Sequence, residues 1–430
     1  MSNRLPVILI YDVGKTNKKI LLFDKDYHVV FEKSIQLPEI PDKDRFLCED
    51  IRSLTAWIKN EFISILQDQR FSIKAINFSG YGASFVWLDH SLKLIDPLYN
   101  YLKPYPQLLL DSFYITYGGI ENFSSVTASP ALGSLNSGLQ LYRIKKENPD
   151  LFQSIKYAIH LPQYLSYVLS GSIHSDITST GCHTALWDFN KHTYHEWVYK
   201  ERIDKILPPI LPSDQIAGNY VDEAGNEIPI GIGLHDSSAA LIPYQLCFEE
   251  AFILLSTGTW SISMNPFNQS ILTSEELRQD CLCYFSYNGK QIKSSRLFAG
   301  HIHDEQLKDL INKFKVDTEL YKNIDPEKNY SETSFEYAYI HMIKELVNKQ
   351  VKSTDLIMNP DVKNIFIDGG FSKNQVFMYV LARAYSNKKV FAAEVAQASS
   401  LGSALVMHRF WNDKPIEADK LVKIQRMFLN

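Results

Sequence analysis

Residues 7–23, VILIYDVGKTNKKILLF, place two apolar runs on either side of a short polar turn. Both runs are rich in β-branched and aromatic residues, which suit a pleated, half-buried surface. The segment predicts strand, tight turn, strand, with Asp12 where the first strand ends. Gly14-Lys15-Thr16 looks like the end of a P-loop. That pattern needs another glycine five residues earlier and a helix afterwards; Leu9 stands in the glycine position and a strand follows, so it fails. A different phosphate-binding turn remains, because glycine lets the backbone approach an anion and clustered N–H groups form a nest for one. Lys15, Lys18 and Lys19 add positive charge there.

Around this segment, strands alternate with helices. HVVFEKS, SIKAINFSG and ASFVWLD read as further strands, while Leu47, Ile51, Leu54, Ile58, Phe62 and Leu66 form a helical stripe. Residues from about Asn136 to Gly171 are helix-rich and end at a glycine stop. The alternation implies an α/β layer architecture. The second half restarts the theme: AFILLSTGTWSISMN is again strand, polar turn, strand, as expected of a duplicated fold. SETSFEYAYIHMIKELVNKQV reads as a long helix, NIFIDGG as a strand running into two glycines, and ASSLGSALVMHRFW as a helix. The best boundary lies near Pro243, giving domains 1–243 and 244–430.

Composition removes several function classes. The 430 residues carry 44 Lys plus Arg against 49 Asp plus Glu, a net charge of −5, unlike the basic balance of a nucleic-acid binder. The longest apolar candidate, residues 239–256, is broken by Gln245, Glu249 and Glu250, so no membrane span is expected. The five cysteines lack CxxC spacing, which favours free thiols in a reducing cytoplasm. No histidine pair has zinc spacing, and HIHDE at 301–305 reads as a surface segment.

Four polar turns at strand ends could carry chemistry: YDVGKTNKK, GIGLHDSSAAL, LLSTGTWS and FIDGGFSKN. Each alone is most simply an ordinary turn. Asp12 and Asp236 both follow apolar runs; such a carboxylate can hold a magnesium ion or accept a proton from an attacking hydroxyl. Asp236 could also simply cap a helix beginning at SSAALIPY. His235, as a lone histidine, is most simply structural.

These turns, in this order, resemble the FGGY family of carbohydrate kinases, in the actin–hexokinase–Hsp70 superfamily. DVGKTNKK is similar to the first phosphate motif at Asp12, Gly14, Thr16 and Lys19. GIGLHDSSAAL resembles the catalytic motif, STGTWS the second phosphate motif, and IDGGFSKN with QASSLGSAL the adenosine-side motif and C-terminal helix. GTWS and GYGASFVWLD look closest to the rhamnulokinase and L-fuculokinase branch. Departures from the pattern are Lys15 in place of a small hydroxyl residue, Ser84 in place of an acid, and YNYLKPY at 99–105 where an Arg-Asp pair is usual.

The resemblance implies two actin-like (ribonuclease H-like) α/β domains with a central cleft. Residues 1–243 would hold the sugar side, the first phosphate turn and the catalytic aspartate; 244–430 would form the ATP side. Asp236 would be the general base, with Asp12 and Asp236 placing Mg²⁺. Gly14, Lys15, Thr16, Asn17, Lys19, Gly258, Thr259, Gly369, Gly370 and Asn374 would bind ATP. Tyr81, Gly82, Ala83, Ser84, Tyr101 and His235, with Asp236, would face the sugar. A cytoplasmic monomer or homodimer acting on a (deoxy)ketose such as rhamnulose or fuculose is expected. A catalytically degenerate sugar- and ATP-binding protein of the same fold, and a kinase for another ketose or polyol such as xylulose or glycerol, are the alternatives.

Overall fold

The computed structural model describes residues 4–95, 98–223 and 225–427. The chain divides into two compact units. The first comprises residues 1–243, 283–290 and 397–417; the second comprises 244–282, 291–396 and 418–430.

In the first unit, strand Leu5–Val13 runs antiparallel to Lys18–Phe23 and parallel to Phe71–Gly80. The sheet runs Ile216–Val221, Glu227–Gly231, Phe71–Gly80, Leu5–Val13, Lys18–Phe23, Val29–Ile35, and Leu234–His235 also pairs with Phe71–Gly80. Val7 to Tyr11 are fully buried, which explains the unbroken apolar run: a strand covered on both faces has no polar side. Helix Ile51–Gln67 packs Leu54, Ile58 and Phe62 into the core beneath the sheet.

The predicted stripe included Leu47, but the helix begins later. The Asp50 carboxylate accepts the amides of Arg52 and Ser53, which fixes the helix start at Ile51. Leu47 instead lies in the short strand Leu47–Glu49 and is exposed. Helix Leu161–Ser170 ends at Gly171 with φ 70°, the left-handed stop expected of a glycine there.

The second unit repeats the arrangement. Strand Phe252–Thr257 is antiparallel to Ser261–Asn265 and parallel to Asn364–Gly369. Lys389–Glu394 and Lys423–Arg426 extend the sheet on one side and Gln291–Leu297 on the other. Helices Phe335–Asp355 and Gln375–Ala384 cover one core with Tyr339, Ile343, Val347 and Phe377. The segment predicted as one helix at 398–411 is two, Ala398–Leu405 and His408–Trp411.

Candidate active site

Sheet register brings the chemistry-bearing residues of the first unit to one edge. Asp12 lies opposite Ser79, and Val13 and His235 both lie opposite Gly80. Asp12 therefore lies one residue before the Gly80 level and Tyr81 and Asp236 one residue beyond it.

The carboxylate Oδ2 of Asp12 accepts the hydroxyls of Ser399 and Ser400, each at 2.7 Å. Its Oδ1 has no hydrogen bond among the described residues. Burial holds the Asp12 pKa above the usual carboxylate range; the two hydroxyls and Lys19 oppose this, and nearby Asp236 reinforces it. Asp236 opens helix Asp236–Cys247. Its Oδ1 accepts the Ser237 amide at 2.6 Å and lies 3.5 Å from Nε2 of His235. Its side chain is 36% exposed, and Oδ2 has no hydrogen bond among the described residues. One carboxylate oxygen is thus held by the adjoining amide of its own helix and the other is without a hydrogen bond among the described residues.

His235 is buried, and its amide donates to Oγ1 of Thr178 at 3.0 Å. Its ring lies against Gly82 so closely that a Cβ there would sit 2.7 Å from Nε2, which is the reason for glycine at that position. Burial alone would favour the neutral ring; the Cys182 thiol and Asp236 outweigh it and push the His235 pKa up. Burial would likewise raise Cys182, but His235 and His183 push its pKa down. The sequence reading missed Cys182, because a lone cysteine carries no spacing signal.

The remaining residues expected on the sugar side gather around this edge. Tyr81 is buried, donates its hydroxyl to Oε2 of Glu49 at 2.7 Å, and meets Tyr101 edge-on at 6.0 Å between ring centroids. Ala83 has φ 61°, and its carbonyl accepts Nε2 of Gln140. Ser84 is buried, its carbonyl accepting the Leu161 amide. In the turn, the Gly14 amide donates to the Asn17 carbonyl at 3.0 Å, while the amides of Lys15, Thr16 and Asn17 find no acceptor among the described residues. Lys15 pairs with Glu39 at 2.6 Å, and Lys19 donates to Gln397 at 3.0 Å.

A separate cavity of about 440 Å³ lies in the second unit, lined by Thr257, Gly258, Thr259, Gly370 and Asn374, with His303. Its volume falls within the range of about 300–1,000 Å³ of small-molecule sites. Gly369 adopts φ 91°, and a Cβ there would lie 2.0 Å from the Thr257 carbonyl oxygen, so only glycine fits. Asn374 caps helix Gln375–Ala384 through the Phe377 amide and donates to the Tyr339 hydroxyl at 2.7 Å. Within HIHDE, expected at the surface, His303 is buried in helix Ala299–Phe314 and shares a 3.1 Å hydrogen bond with Tyr339. Helical periodicity placed His303 on the inner face, a signal that zinc spacing alone does not test.

Residues 7–243 match the family model described as the FGGY family of carbohydrate kinases, N-terminal domain. The chain belongs to this family. Among curated relatives, rhamnulokinase of Klebsiella pneumoniae subsp. pneumoniae is 26% identical over 234 residues, covering 52% of this chain and 46% of that protein. Rhamnulokinase of Halalkalibacterium halodurans is 24% identical over 269 residues, covering 58% and 52%. The chain thus spans about half the length of the curated relatives it matches. A carbohydrate kinase from Novosphingobium aromaticivorans superposes with a TM-score of 0.82 at 20% identity, covering 98% of this chain and 94% of that one. Ligand-bound xylulose kinase from Lactobacillus acidophilus gives 0.77 at 15%, covering 99% and 94%. Plasmodium falciparum glycerol kinase with ADP gives 0.74 at 18%, covering 97% and 92%. These structures show the fold of this FGGY member: α/β, with two actin-like domains.

Proposed function

We propose that this FGGY member is an ATP-dependent carbohydrate kinase that transfers the γ-phosphoryl group to a hydroxyl of a small sugar. The observation carrying this reading is Asp236: a part-exposed carboxylate with one free oxygen, within electrostatic reach of a second carboxylate, Asp12. A kinase of this kind needs positioning and charge neutralisation more than covalent chemistry. Asp236 accepts the proton of the attacking hydroxyl. In the first unit the amides of Lys15, Thr16 and Asn17, without acceptors among the described residues, are donors for phosphate, together with the side chains of Lys15 and Lys19. In the cavity of the second unit Thr259 presents donors and Gly258, its amide given to the Trp260 carbonyl at 3.0 Å, lets the backbone come close, while Gly369, Gly370 and Asn374 flank the adenosine. Asp12 and Asp236 suit Mg²⁺, since that ion takes one or two carboxylates and otherwise keeps its waters, and each has an oxygen without a hydrogen bond among the described residues. Bound there, Mg²⁺ would neutralise developing phosphate charge.

The division of labour follows: residues 1–243 hold the sugar and the base, 244–430 the nucleotide. Tyr81, Gly82, Ala83, Ser84, Tyr101 and His235 form a sugar face of short and aromatic side chains. A sugar hydroxyl left unpaired against such a face loses its water partners, which favours a deoxyketose. The names of the curated relatives make rhamnulose the first substrate to try, in a cytoplasmic enzyme working as a monomer or homodimer. The test is ADP release by purified protein with L-rhamnulose, L-fuculose, D-xylulose, gluconate and glycerol. We expect turnover with a deoxyketose and a lower kcat/KM for its hydroxylated counterpart. Absence of ADP release with all five compounds would favour the degenerate relative.

A further inference from the structure

Lys18 is one of the largest fully buried side chains in the molecule, and it carries a charge. Its ammonium donates to the Lys15 carbonyl at 2.9 Å and lies 2.6 Å from Oε1 of Glu49. The other Glu49 oxygen, Oε2, accepts the Tyr81 hydroxyl at 2.7 Å. Glu49 is itself buried, with a side chain 4% exposed. A buried ion pair gives up its hydration and is weak support for stability as such. It does specify geometry, because each buried charge must keep its partners.

We propose that Lys18 and Glu49 are positioning residues that set the phosphate turn and the sugar-side tyrosine in one frame. The proposal rests on the reading of residues 14–17 as phosphate-facing and Tyr81 as sugar-facing. A turn that binds an anion must present N–H groups and keep its carbonyls away. Lys18 holds the Lys15 carbonyl, and the Asn17 carbonyl is taken by the Gly14 amide, while the amides of Lys15, Thr16 and Asn17 have no acceptor among the described residues. Glu49 fixes Lys18 with one oxygen and Tyr81 with the other. Breaking each link therefore has a different signature. Losing the Lys18 ammonium disturbs the turn, losing the Tyr81 hydroxyl disturbs the sugar side, and losing the Glu49 charge disturbs both.

Three variants are compared with wild type in steady-state kinetics, with a thermal melt to establish folding. Lys18→Met/Glu49→Gln leaves no lone buried charge; Tyr81→Phe and Glu49→Gln complete the set. Expected are raised MgATP and sugar KM values in both the double variant and Glu49→Gln, the MgATP KM at least tenfold higher in the double variant, and a raised sugar KM with unchanged MgATP KM in Tyr81→Phe. Equal losses of kcat in all three with both KM values unchanged would overturn the proposal. A readout independent of activity is hydrogen exchange of the 14–20 segment, expected to quicken at least tenfold in the double variant and to stay as wild type in Tyr81→Phe. Unchanged exchange in a folded double variant overturns the positioning role. Failure of wild type to bind MgADP in calorimetry instead counts against the kinase reading, and the exchange result still decides the positioning claim.

Discussion

Asp236 commits Oδ1 to its own helix, through the Ser237 amide, and its Oδ2 has no hydrogen bond among the described residues. An asparagine keeps an acceptor for that amide and loses only the basicity. Asp236→Asn should therefore fold normally and lose about 10²–10⁴-fold in turnover, the usual contribution of general acid–base catalysis, with a sugar KM close to wild type. Near-normal kcat in the folded variant would remove Asp236 from the base role. Lys15 illustrates a different outcome at this scale. Its charge is legible in the sequence, but its pairing with Glu39 depends on the strand Glu39–Pro41 lying beside the turn. Being solvent-exposed, that pair contributes only about 0–1 kcal/mol, so it restrains Lys15 weakly.

The strand ends and their turns are where the elements meet the proposed function. Both sheets place a polar turn between antiparallel strands and a parallel strand beside them, once around Gly14 and once around Gly258. In the second unit the parallel neighbour ends at Gly369, directly against the Thr257 carbonyl. A methyl group there meets backbone atoms, which cannot rotate away as a flexible side chain could. Gly369→Ala should therefore lower unfolding free energy by about 1–3 kcal/mol, the cost of one strongly disfavoured backbone conformation, and weaken MgADP binding in the adjoining cavity. Denaturant melts and calorimetry would measure both; wild-type values for the two would mean that the strand end relaxes freely.

At the scale of the whole molecule, buried carboxylates link folding to pH. Asp176 is fully buried, and burial raises its pKa despite bonds from Ser213, Thr178 and the Ser179 amide. Because the folded value lies above the unfolded one, its contribution to stability is present below the ordinary aspartate pKa of about 3.9 and is lost as pH rises through the raised folded value. Asp176→Asn does not titrate. Its stability relative to wild type should therefore increase as pH is raised from about 4, read from urea midpoints at a series of pH values. A constant difference across the series would show that Asp176 stays charged throughout. No helix among the described residues is long and apolar enough to cross a membrane.

What the sequence determined by itself was periodic or local. Apolar runs, helical stripes and turns with glycine specify strands, helices and their ends through neighbours a few residues away. The two strand–turn–strand segments, the long helix at 335–355 and the aspartates at strand ends were legible for that reason. The helix start at Ile51 was missed because a capping bond from Asp50 overrode the stripe. Tertiary structure alone decided partnerships between residues far apart in the chain. Ser399 and Ser400 reach Asp12 from more than 380 residues away. Cys182 comes to His235, and Lys18 and Glu49 join the turn to Tyr81, only because the sheet and its helices are folded. A sequence pattern reports which face of an element is buried. Which charge meets which inside that buried space is set by packing between elements, and no local periodicity encodes it.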